Sequence, residues 1–141
     1  MFLQISCLLY LIIISYFDLT CGRIPNPVTI VFSLAVLAFD LSTVPADIPV
    51  KLMCSLFFFL VFFMTAAVTK GIGMGDVKLA AVIGYCSGFF RTSFVLISAC
   101  TIGAAVFLFF IIFRYKIKRL PFAPFVTAGY IVTNIFCRRI I

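Results

Sequence analysis

Gly71-Ile72-Gly73-Met74-Gly75-Asp76-Val77-Lys78-Leu79 interrupts a chain that is otherwise almost continuously apolar. Three glycines, a carboxylate and an ammonium group stand here between hydrophobic runs, and an ionisable group at the centre of a bilayer costs about 2.5 to 3.5 kcal/mol. An acid retained at that cost is a candidate for function. The uncharged run that follows, residues 79–90, is too short to cross a hydrocarbon core about 30 Å thick. A helix starting at Asp76 therefore begins within the membrane or beside polar protein, with the acid near the interface but below the lipid surface.

The surrounding sequence agrees. Of 141 residues, 65% are hydrophobic and 11% charged, with a mean hydropathy of +1.33, whereas soluble domains carry about 25% charged residues. The expectation is an all-α integral membrane protein, one domain over residues 1–141, built as a bundle of about six transmembrane helices. Upstream of the glycines, residues 51–69 span and stop at Lys70; downstream, residues 92–113 span without a charge. The first helix covers about residues 1–17 and ends at Asp18. It lacks the basic start and small-residue cleavage site of a signal peptide. Ile24-Pro25-Asn26-Pro27 restarts the chain, proline being tolerated in a first helical turn, and the second helix runs to about Asp40. Residues 41–49, with Pro45 and Pro49, read as a loop. The sixth segment covers about 120–137, and its opening Pro121-Phe122-Ala123-Pro124-Phe125 predicts a broken helix start.

Charge sets topology. The chain carries 11 Lys+Arg, 4 Asp+Glu and no His, for a net +7. The cations lie singly or in short clusters between apolar runs, a pattern of topology signals that argues against nucleic acid. Seven (Arg23, Lys70, Lys78, Arg114, Lys116, Lys118, Arg119) follow odd-numbered segments and four (Lys51, Arg91, Arg138, Arg139) lie at the other side. The excess favours an outside N-terminus. Whatever the orientation, Asp18 and Asp76 each follow an odd-numbered segment, so both belong at one membrane face. The six cysteines are scattered without C-x-x-C spacing, which points to neither a disulfide framework nor a metal site.

Two carboxylates at one depth on different helices do not easily both ionise, so such a pair shares a proton near neutral pH. It can activate a water against a peptide carbonyl and protonate the leaving nitrogen, with no metal, cofactor or histidine required. Gly73 and Gly75, with Gly71, would permit positive φ and close approach of a substrate backbone. Lys78 either snorkels to the interface or pairs with a carboxylate; both remain open. Ordinary structural roles stand beside these. Asp18 alone suits an interface anchor or cap, Asp76 alone suits a helix cap, and the glycines alone suit a flexible turn. A phosphate-binding loop fits less well, lacking Gly-Lys-Ser/Thr after a strand. Asp40 and Asp47 read as solvated residues of an outer loop.

Gly73-Met74-Gly75-Asp76-Val77-Lys78-Leu79 resembles the second aspartate motif of the type IV prepilin peptidases, which are GxGD-type aspartic proteases. Asp18 followed by Arg23-Ile24-Pro25-Asn26 resembles their first motif, and Pro121-Phe122-Ala123-Pro124-Phe125 the proline motif opening their last helix. The resemblance implies a multi-pass enzyme of the cytoplasmic membrane that removes a short basic leader from type IV prepilin or pseudopilin-like precursors. It implies Asp18 and Asp76 as catalytic pair and Gly73, Gly75, Lys78, Pro121 and Pro124 as substrate-binding positions. The C-x-x-C region that follows the first helix in members that also N-methylate their product is not found after Asp18, so the resemblance does not carry methyltransferase activity over. Two other classes remain: a proton-coupled carrier, since intramembrane acids also mark proton relays, and a non-catalytic partner in pilus or secretion assembly.

Overall fold

The computed structural model describes residues 2–21, 25–69, 73–113 and 122–140. Gly71, Lys70, Arg23, Ile24, Pro121 and the basic cluster at 114–119 lie outside them. All regular structure described is helical: α1 (Phe2–Cys21), α2 (Asn26–Thr43), a 3-10 turn (Pro45–Asp47), α3 (Ile48–Thr69), α4 (Met74–Ile112) and α5 (Ala123–Ile140). The first four α-helices are long and apolar enough to cross a membrane, and α5 contributes a shorter apolar stretch, Ala123–Phe136. Large apolar side chains such as Phe90, Phe94, Met53 and Val68 face outward, as a lipid surrounding permits. The chain is a multi-pass, all-α membrane protein.

With 39 residues, α4 would be roughly 58 Å long if straight, nearly twice the hydrocarbon thickness of about 30 Å. It is not straight. Gly88 breaks it at φ 73°, ψ 176°, a conformation open essentially to glycine alone. The break separates a limb of residues 74–87 from a limb of residues 89–112. Across it, the Thr92 hydroxyl donates to the Ile83 carbonyl at 3.2 Å within the core. The sequence places this boundary two to four residues later, near the polar Arg91; backbone freedom at Gly88 decides the actual position.

Contacts along the helices fix their directions. Thr127 donates to the Leu11 carbonyl at 3.3 Å and Tyr130 to that of Gln4 at 3.2 Å, so α1 and α5 run antiparallel. Gly129 lies so close to Val95, Ser98 and Ala99 that a Cβ would fall 2.7 Å from the Val95 carbonyl, while Phe125 lies against Gly103. The second limb of α4 therefore runs opposite to α5. Successive segments alternate in direction, which returns the ends of α1 and the start of α4 to one end of the bundle. The main core joins Cys7, Leu11 and Ile14 of α1, Leu79, Ile83, Val95 and Ala99 of α4, and Ala123, Val126 and Tyr130 of α5. α3 packs on the far side of α4 through Phe58, Ala80 and Leu96.

The expected loop at 41–49 is almost wholly helical. α2 continues to Thr43, and Pro45 and Pro49 sit in first turns where a missing N–H costs no helical bond. This corrects the reading of Asp40. Far from being solvated, it is 1% exposed, because the longer α2 carries it into the bundle opposite the start of α3. There Lys51 Nζ donates to Asp40 Oδ2 at 2.9 Å. The Tyr85 hydroxyl lies within electrostatic reach of the same carboxylate, although Asp40 Oδ1 and Tyr85 Oη are each left without a full hydrogen bond. Asp47 is exposed, as expected.

Candidate functional site

Asp18 continues the buried stripe of α1. Cys7, Leu11, Ile14 and Asp18 follow one another at spacings of four, three and four, which keeps them on one helix face. Asp76 occupies the first turn of α4, on the face that carries Leu79 and Ile83. Both acids therefore extend the apolar seam between their helices to the end of the bundle. Each is half-buried, and their carboxylates lie within electrostatic reach of one another.

A third element completes the corner. The Ala123 N–H, at the first residue of α5, donates to Asp18 Oδ2 at 3.1 Å across 105 positions of chain. That amide has no partner inside its own helix, and the positive end of α5 favours a negative group there. Pro124 is the second residue of α5, where its missing N–H costs nothing. The Phe122 carbonyl accepts from the N–H groups of Phe125 and Val126 at 3.1 and 3.2 Å, so the helix starts regularly instead of being broken. Pro121 lies outside the described residues.

The glycines divide. The Gly73 carbonyl accepts from the Asp76 N–H at 3.0 Å and the Val77 N–H at 3.4 Å, closing the first turn of α4. A Cβ on Gly73 would lie 3.6 Å from Asp76 Oδ2, an ordinary contact; a longer or branched side chain would lie over the carboxylate. Gly75 is helical, so the expected positive φ is not what it supplies. Among the described residues the positive φ belongs to Gly88.

Among the described residues Lys78 does not form an ion pair with a carboxylate. Its ammonium donates to Asn26 Oδ1 at 2.9 Å, joining the first residue of α2 to the second turn of α4. The motif contains Asn26, but its sequence gives it no role, because the partner lies 52 positions away. Beside this bond a cavity of about 410 Å³ runs between α2, α3 and α4, lined by Thr29, Ile30, Phe59, Lys78, Val82 and Tyr85 among others. Among the described residues no three His, Cys, Asp or Glu side chains gather as a metal site would require. The arrangement places two acids, one held by a helix N-terminus, at one corner of the bundle.

The model of the type IV leader peptidase family matches residues 5–108, a stretch that includes Asp18, Asn26, Gly73, Asp76 and Lys78. No curated protein and no solved structure matches the chain.

Proposed function

This chain belongs to the type IV leader peptidase family, and we propose on that premise that it is an aspartic endopeptidase of the cytoplasmic membrane, removing the short basic leader of type IV prepilin-like precursors. The observation that carries the reading is that the helices bring Asp18 and Asp76 to one end of the bundle, within electrostatic reach of each other. Two carboxylates within electrostatic reach hold one proton between them more readily than none. The ionised member takes a proton from a water, whose oxygen adds to the scissile carbonyl. The protonated member then supplies the proton that leaves with the amine, so one water is consumed and the pair returns to its starting state.

The surrounding residues support the roles around that step. The Ala123 N–H orients Asp18, and Gly73 leaves the face of Asp76 uncovered. The substrate's apolar stem stays in the bilayer while its leader junction meets the two acids at the bundle end. Purified protein in lipid vesicles with a prepilin-like precursor tests this. Mass spectrometry is expected to find leader and mature chain from hydrolysis of one bond, absent with Asp76→Asn at equal insertion. An Asp76→Asn protein that cleaves as well as the unaltered one would remove the reading.

A further inference from the structure

Lys78 is two residues from Asp76, yet its ammonium is directed to a neutral amide on another helix. Among the described residues the ion pair is instead Lys51 with Asp40, at the opposite end of the bundle. We infer that Lys78 is a positioning residue, acting through Asn26 to hold the start of α2 against the helix that carries Asp76, and does not bind substrate. The inference rests on the assignment of Asp18 and Asp76 proposed above.

Three observations carry it. First, α2 starts without a side-chain cap at Pro25, and it adds no buried residue to the core that joins α1, α4 and α5, packing Val28 and Phe32 against it from outside. Besides that packing, it is held by Tyr10 Oη donating to Thr29 Oγ1 at 3.2 Å, the stacked rings of Tyr10 and Phe32, and Asp40 with Lys51 at its far end. The Lys78–Asn26 bond is the tie at its start. Second, Asn26 stands where the chain arriving from α1 re-enters helix, so the bond links the segment that leaves Asp18 to the helix that begins beside Asp76. Third, the Lys78 side chain lies half-buried along the apolar cavity wall, which supports its stem while the ammonium reaches Asn26. An amide acceptor occupies the ammonium without adding a third carboxylate to the corner. Small displacements of catalytic groups matter: a shift of about 1 Å can cost about 100-fold in rate.

The test is a double-substitution cycle in vesicles, read as kcat and KM on a prepilin-like precursor. Lys78→Met and Asn26→Ala are each expected to lower kcat about 10-fold with KM changed less than about 2-fold, and the double variant to lose no more than either single one. Lys78→Arg and Asn26→Gln keep a donor and an amide acceptor, and are expected to recover most of the rate. A raised KM in Lys78→Met with Asn26→Ala unchanged, or losses that multiply in the double variant, would overturn the inference. Unfolding midpoints accompany each rate; should Lys78→Met not fold, Asn26→Ala against Asn26→Gln decides alone, equal and unimpaired rates counting against the inference. Asp76→Asn is run in parallel. If it cleaves, the proposed chemistry fails; if it is inactive while the cycle is additive, the positioning role alone fails.

Discussion

The bundle carries an acid centre at each end, and the two are solved differently. At one end Asp40 is buried, and an ammonium from Lys51 answers its charge at 2.9 Å. At the other, Asp18 and Asp76 lie within electrostatic reach of one another and form no ion pair among the described residues, Lys78 being engaged by Asn26. Breaking a buried pair by removing one partner is strongly destabilising, so Asp40 and Lys51 read as a device that fixes the α2–α3 hairpin. Two acids brought together with no ion pair among the described residues stabilise nothing by themselves. That contrast fits the acid–base role proposed for Asp18 and Asp76.

That contrast can be broken from either side. The largest effect is expected at the acid pair: Asp18→Asn or Asp76→Asn lowers cleavage by at least about 1,000-fold, with the unfolding midpoint kept within a few degrees. Asparagine at position 18 still presents a carbonyl to the Ala123 N–H, so the change removes charge and leaves the helix contact. At the other end the pattern inverts. Lys51→Met is expected to cost about 3 to 5 kcal/mol of stability, with the rate per folded molecule retained, and Asp40→Asn added to it should recover part of that loss. Denaturation in detergent, paired with rates in vesicles, checks both halves. Gly88→Ala should cost about 1 to 3 kcal/mol because its φ of 73° is strained for any side chain. The smallest effect belongs to Gly73→Ala, whose Cβ makes only ordinary contact; Gly73→Val, which covers the Asp76 carboxylate, should reduce the rate well beyond it at similar stability.

Segment parity makes part of this arrangement legible in the sequence. Apolar runs separated by single cations give the helices, and because Asp18 and Asp76 each follow an odd-numbered run, they return to the same end. Local rules fail where distant packing decides. Prolines at 45 and 49 read as a loop, yet both fall in first turns, and the extra helix buries Asp40. A lone acid before a connection and a lone lysine after it are the signal for that pair. The break at Gly88 depends on a backbone angle, and glycine's identity permits it without requiring it. The acceptors of Lys78 and the Ala123 N–H lie 52 and 105 positions away, beyond the reach of any periodicity.

Asp18 and Asp76 are expected to act as one unit. Cleavage rates of Asp18→Asn, Asp76→Asn and the double variant, measured in the same vesicles on the same precursor, test this most directly. A shared-proton pair predicts three equal losses, the second substitution costing nothing further. Substantial cleavage by either single variant, or losses that multiply in the double, would contradict it.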